Sequence, residues 1–158
     1  ILEHELLLNA PLFTPVNETS IPTGAILPVS GTVMDFTRSK KVGADFERIE
    51  GEPGGYDHNF VIAKDFPGQL ALAARVHEPK SGRTMEVLTT EPGVQLYTAN
   101  YLDGRFKGKG GRAYHKNSAL CLECQHFPDS VNQPHFPSVI LKPGHEYRQT
   151  TVHRFTAH

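Results

Sequence analysis

Hydrophobic positions along this chain recur mostly at a spacing of two. In the opening segment Ile1–Leu8, Leu2, Leu6 and Leu8 share one face with His4 among them. Short runs rich in β-branched and aromatic residues follow at 60–63, 70–77, 84–90, 94–99, 119–127 and 146–155, and each is expected to be a strand. Turn signals punctuate them, among them Pro22-Thr23-Gly24, Pro53-Gly54-Gly55, Ser81-Gly82, Pro92-Gly93, Asp103-Gly104 and Pro143-Gly144. The turn at Pro79-Lys80-Ser81-Gly82 predicts a hairpin. Its first strand would carry Ala71, Ala73, Arg75 and His77 on one face and Leu70, Leu72, Ala74 and Val76 on the other. Only 35–49 has helical character, and Gly43 weakens it. The stretch 125–143 holds Pro128, Pro134 and Pro137, so it is expected to be a long ordered loop of the kind that lines a site. The pattern predicts an all-β fold, a large antiparallel β-sandwich. Segment Ile1–Leu8 reads either as an ordinary domain start or as a strand whose lead-in lies upstream. Glu3 and Glu5 interrupt it, so it does not read as a signal peptide.

Composition narrows the function classes. The 158 residues suit one domain, 1–158. Lys plus Arg number 16 against 17 Asp plus Glu, a net charge of -1, which speaks against a general nucleic-acid or anionic-membrane binder. No run of about 18 apolar residues is present, so no segment reads as a transmembrane helix. The two cysteines form Cys121-Leu122-Glu123-Cys124, a spacing that elsewhere signals redox or zinc chemistry. Here it falls within an expected strand, where residues three apart face opposite ways, so the two thiols neither bridge nor share a metal. The nine His show no ligand spacing and carry no expected metal role.

Two places hold candidate chemistry. Strand parity puts Leu120, Leu122 and Cys124 on a core face and Cys121, Glu123 and Gln125 on the other. Glu123 is then either a solvated carboxylate on an open sheet or a carboxylate in a cleft. In a cleft, partial desolvation would raise its pKa toward the range of a general base. The cluster Tyr56-Asp57-His58-Asn59-Phe60, after Gly54-Gly55, is either part of a site or a turn in which Asp57 and Asn59 satisfy nearby backbone.

Three stretches in order are more specific than either: Gly55-Tyr56-Asp57-His58-Asn59-Phe60, Thr89-Thr90-Glu91-Pro92-Gly93-Val94-Gln95-Leu96-Tyr97-Thr98-Ala99-Asn100, and Leu120-Cys121-Leu122-Glu123-Cys124-Gln125. Together they closely resemble the C-terminal half of the aldose 1-epimerase (galactose mutarotase) family. Asn132-Gln133-Pro134-His135-Phe136-Pro137 and Leu141-Lys142-Pro143-Gly144 fit the same family. The resemblance implies that Glu123 is the general base, that Asp57 hydrogen-bonds sugar hydroxyls and that Gln95 contacts the sugar. It implies interconversion of the α and β anomers of a free aldohexose such as galactose or glucose, with no cofactor because only protons move. It further implies that the general-acid histidine belongs to an N-terminal half preceding Ile1, supplied as a separate or missing segment. The expected setting is cytoplasmic, with any targeting segment in that upstream part. A non-catalytic sugar-binding module and a sugar-phosphate epimerase relative are the alternatives. The first would not need a carboxylate at Glu123, and the second should place Arg at Val131-Asn132-Gln133-Pro134, where none occurs.

Overall fold

The computed structural model describes residues 1–51 and 53–157. Twelve strands run in chain order: β1 Glu5–Leu8, β2 Leu12–Thr14, β3 Leu27–Pro28, β4 Lys40–Lys41, β5 Asp57–Val61, β6 Ala71–Glu78, β7 Arg83–Thr89, β8 Gly93–Tyr97, β9 Asp103–Lys107, β10 Ala113–His115, β11 Cys121–Gln125 and β12 Thr151–Ala157. Among the described residues the only helical pieces are 3-10 turns at Phe46–Arg48, Lys109–Gly111 and Ser130–Asn132. The fold is all-β, as the pattern predicts.

The strands form two five-stranded antiparallel sheets and one hairpin. The first sheet has the order β12-β7-β6-β1-β4, the second β11-β8-β5-β2-β3, and β9 pairs with β10 alone. One apolar cluster joins the two large sheets. Leu6 and Leu8 of β1, Ala74 and Val76 of β6 and Val87 of β7 meet Phe13, Phe60, Val94 and Leu96 of the second sheet, together with Phe36 and Tyr56. That shared core makes the two sheets a sandwich.

Element boundaries shift from the sequence pattern where tertiary pairing intervenes. β5 starts at Asp57 rather than Phe60, so the 56–60 cluster is strand and not turn. The reason lies just upstream. Gly55 has φ +100°, and Tyr56 is pinned by its N–H to Thr98 Oγ1 at 2.9 Å and by Asn100 Nδ2 to its carbonyl at 2.8 Å. A Cβ on Gly55 would run into Asn100 Oδ1 and the Phe46 ring. β12 begins at Thr151 rather than 146, and β11 covers Cys121–Gln125 within the expected 119–127. Segment 35–49 is not helical. It supplies β4 and one 3-10 turn, and Gly43 packs where a Cβ would press on Leu2 at 3.0 Å.

The hairpin closes where expected, with Gly82 N–H donating to the Glu78 carbonyl at 2.9 Å. The two faces assigned to its first strand need correcting. Register slips between Leu72, opposite Leu88, and Ala74, opposite Val87. The extra residue is a bulge, so Ala73 and Ala74 are both fully buried and the face alternation reverses there. The β9–β10 hairpin carries little apolar content and gave no period-two signal.

Candidate active site

Three neighbouring strands of the second sheet, β11, β8 and β5, bring the sequence-predicted residues together. Glu123 lies directly opposite Gln95, and Gln95 directly opposite Asn59. One step along, Cys121 faces Tyr97 and Tyr97 faces Asp57. Residues opposite one another in an antiparallel pair share a face, so Glu123, Gln95 and Asp57 stand on one side of the sheet. Gln95 Nε2 donates to Asp57 Oδ1 at 2.8 Å, tying two of the three. The opposite side is core: Leu96, Val94 and Phe60 are fully buried, and Leu120, Leu122 and Cys124 pack against them. The parity assigned to β11 therefore holds, and it separates the thiols. Cys121 is exposed on the polar face, Cys124 is half-buried on the other, and neither is bridged.

Glu123 is exposed. Of its two sequence readings, the solvated carboxylate on a sheet face describes its place in this structure. Cys121 shares this face with Glu123, as strand parity predicts. Partial burial, and after it the charges of Glu123 and Asp57, hold its thiol above the usual range. His58, between Asp57 and Asn59, turns to the core face. Its Nδ1 accepts the Asp57 N–H at 3.1 Å, and its ring meets Phe13 edge-on. Burial lowers its pKa against the smaller opposing effect of Asp57, so it is a neutral packed group and not part of the polar face.

The polar face passes from solvent into cover along one row. Glu123 is exposed, Gln95 half-buried, and Asn59 and Thr14 buried. Thr14 lies opposite Asn59 on β2. The cover comes from the long loop after β11, which is ordered as expected. Phe127 and Phe136 stack edge to face at 5.3 Å, Ser130 Oγ donates to the Phe127 carbonyl at 2.6 Å, and His135 Nε2 reaches the Gly24 carbonyl at 2.7 Å. The same loop borders an open groove of about 1010 Å³ that includes Lys64, Glu91, His126 and Tyr147. This larger groove contains none of Glu123, Gln95 and Asp57. We place the candidate site on the sheet face, because three groups fit for acid–base and hydroxyl chemistry converge there in strand register.

Within the groove, Glu91 is 3% exposed. Its Oε2 contacts His126 Nδ1 at 2.6 Å and its Oε1 accepts the Tyr147 hydroxyl at 2.5 Å. Sequence reasoning missed this cluster, since its members lie 35 and 56 residues from Glu91 and have no local pattern. Among the described residues no group of three His, Cys, Asp or Glu side chains converges as a metal site, and no helix is long and apolar enough to cross a membrane.

The protein is thus an antiparallel β-sandwich that lines a carboxylate, an amide and a second carboxylate along one face of its second sheet. The sequence model described as aldose 1-epimerase matches residues 1–154, and the chain belongs to that family. Galactose mutarotase of Sus scrofa is 50% identical over 151 residues, which are 96% of this chain and 43% of that protein. Galactose mutarotase of Homo sapiens is 46% identical over 156 residues, 99% of this chain and 44% of that protein. A crystal structure of a GalM/aldose epimerase homologue from C. elegans superposes with a TM-score of 0.86 at 35% identity, covering 99% of this chain and 46% of that one. The chain thus spans less than half the length of the relatives it matches.

Proposed function

We propose that this chain carries the base and one wall of the sugar site of an aldose 1-epimerase acting on a free aldohexose such as galactose or glucose. The observation that supports this best is the alignment of Glu123, Gln95 and Asp57 on one sheet face, with Gln95 bonded to Asp57 at 2.8 Å. Glu123 removes the proton from the C1 hydroxyl while an acid protonates the ring oxygen. The C1–O5 bond breaks, the aldehyde turns about C1–C2, and closure on its other face gives the other anomer. Protons alone are exchanged. Asp57 accepts hydrogen bonds from sugar hydroxyls, and Gln95, whose NH₂ donates to Asp57, is the further residue proposed to contact the sugar. A positioned base and acid each contribute roughly 10²–10⁴-fold.

The acid is not expected from this face. His58, beside Asp57 in sequence, is turned away and held neutral by burial. The acid is assigned to the N-terminal portion that makes up the rest of the relatives, and the complete site is proposed to form when that portion folds against this chain.

The test is polarimetry on freshly dissolved α-galactose and α-glucose with the complete protein. Glu123→Gln preserves size and hydrogen bonding but not basicity, so interconversion falls by at least a hundredfold. A loss below tenfold overturns the assignment. Unaltered sugar binding with no interconversion in the parent protein would instead support the binding-module alternative.

A further inference from the structure

Glu123 on β11 and Asp57 on β5 stand on the two strands that flank β8, offset by one row of the face. Glu123 lies opposite Gln95, and Asp57 lies opposite Tyr97. Neighbouring strands run about 4.8 Å apart, so roughly 9–10 Å of sheet separates the two outer strands. A sugar held by both carboxylates therefore lies across β8. The side chains that β8 presents along that diagonal are Gln95 and Tyr97, two residues apart and on one face. The Gln95 NH₂ is directed at Asp57. Tyr97 is half-buried, and its ring is the largest apolar surface in the row it shares with Asp57 and Cys121.

That ring is fixed by the turn that follows β8. Ala99 has φ +53°, a left-handed conformation seldom adopted by a residue other than Gly, Asn or Asp. Its carbonyl accepts the Asn117 N–H at 3.2 Å, and Asn117 Nδ2 donates to the Thr98 carbonyl at 2.7 Å. The reversed chain brings Tyr101 back to Tyr97. Their rings stack with centroids 6.4 Å apart and planes at 20°, and the Tyr101 N–H donates to the Tyr97 hydroxyl oxygen at 3.3 Å. Tyr101 is 62% exposed, so the stack adds little to the core. Its effect is to hold a half-buried ring beside the two carboxylates.

A pyranose is amphipathic. Its hydroxyls suit carboxylates, and its C–H bonds, polarised by the attached oxygens, suit the electron-rich face of an aromatic ring. Galactose has the larger apolar patch, because its axial 4-hydroxyl leaves the hydrogens on C3, C4 and C5 on one side of the ring. In glucose the hydrogen on C4 points to the other side. The patch excludes C1 and is the same in both anomers, so a contact with it serves either direction of the reaction. We infer that Tyr97, braced by Tyr101, is a specificity-determining residue whose ring packs against this patch and so favours galactose over glucose. The inference rests on the proposal that Glu123 and Asp57 hold the sugar.

Tyr97→Leu removes the ring, and Tyr97→Phe removes only the hydroxyl. In the complete protein, polarimetric rates give Tyr97→Leu a KM for galactose about tenfold higher, with KM for glucose changed less than about threefold and kcat for both sugars within about threefold of the parent. Tyr97→Phe stays within about twofold of the parent for both sugars, and Tyr101→Ala, at an exposed position, weakens the galactose preference by about threefold. The second readout needs no turnover. In protein labelled with ¹³C at tyrosine, the Tyr97 ring signal, identified by its loss in Tyr97→Phe, shifts at lower concentrations of galactose than of glucose. Should Tyr97→Leu fold poorly, Tyr101→Ala and the ring signal carry the test. Equal losses for the two sugars, a galactose KM unmoved in Tyr97→Leu while Tm falls, a loss in Tyr97→Phe as large as in Tyr97→Leu, or a ring signal indifferent to galactose overturns the inference. A parent protein that interconverts no anomers, but whose Tyr97 ring signal still responds to galactose ahead of glucose, overturns the proposed function and leaves the aromatic contact standing.

Discussion

Removing the Glu91 carboxylate should loosen the segment that follows β11. Both of its oxygens are engaged, one by His126 Nδ1 at 2.6 Å and one by the Tyr147 hydroxyl at 2.5 Å. A carboxylate can only accept, so the His126 hydrogen sits on Nδ1. A hydrogen bond to a charged group contributes about 1.5–3 kcal/mol when fully buried. Here the carboxylate is buried, but Tyr147 is mostly exposed and His126 partly so, and water replaces the lost acceptor for both. Glu91→Ala also relieves the desolvation of the carboxylate, so the net loss settles near 2 kcal/mol rather than the sum of two full bonds. Glu91→Gln retains an oxygen for Tyr147 and should lose about 1 kcal/mol. For a chain of this size one kcal/mol corresponds to roughly 2–4 °C, so Tm falls by roughly 4–8 °C and 2–4 °C respectively. Urea denaturation with unchanged m-values gives the free energies. Hydrogen exchange over 138–150 shows whether the loss is local to the segment that Tyr147 tethers. The hydrogen bond to Glu91, more than burial, holds the Tyr147 phenol above its ordinary value of 10.0. Its folded-state value exceeds its unfolded one, so its contribution is complete below about pH 10 and disappears as pH rises through the raised value. Glu91→Gln should flatten that alkaline limb. The reasoning fails if Glu91→Ala lies within about 0.5 kcal/mol of the parent, or if Glu91→Gln and Tyr147→Phe combine additively despite sharing one hydrogen bond.

Residues 1–158 assayed alone should interconvert anomers little or not at all, and adding the N-terminal half of a galactose mutarotase should restore activity; full activity from the isolated chain would place an acid among its own histidines. Gly55→Ala should destabilise by about 2 kcal/mol or more, because φ is +100° and the new Cβ meets Asn100 and Phe46; a neutral result in thermal unfolding would contradict the geometry. Bonds from Ser81, and then from the Lys80 backbone, hold Glu78 at about 2, below its usual 4.5, so its contribution is present above about pH 4.5 and lost as pH falls toward 2. Acid unfolding of Glu78→Gln should accordingly lack that part of the limb. Alkylation of the folded protein should label exposed Cys121 well ahead of half-buried Cys124, and equal rates would contradict their placement on opposite faces.

Local pattern determined much of this architecture. Side-chain alternation put Glu123 on the face away from Leu120 and Leu122, and it set Cys121 and Cys124 apart, because both follow from the backbone of a single strand. Glycine and proline marked the β6–β7 turn and the loop after β11 for the same local reason. Register is different in kind. Whether Glu123 lies opposite Gln95, or Gln95 beside Asp57, depends on pairings between distant strands, and a one-residue slip would move every partner to the other face. The bulge at Ala73 is such a slip, and only packing of both Ala73 and Ala74 into the core accounts for it. Family resemblance named Glu123, Gln95 and Asp57 one by one, while the tertiary structure put them side by side. The 56–60 cluster reads from sequence either as a turn or as part of a site, and the same motif would serve either role. Asn59 is buried with its NH₂ on Thr14 of β2 and its oxygen over Gly93 of β8, and no window of sequence contains both. Glu91 shows the same division. It lies in an ordinary turn before β8, and it becomes a buried anchor only because the chain returns twice, at His126 and Tyr147, to satisfy a carboxylate that could not otherwise leave water.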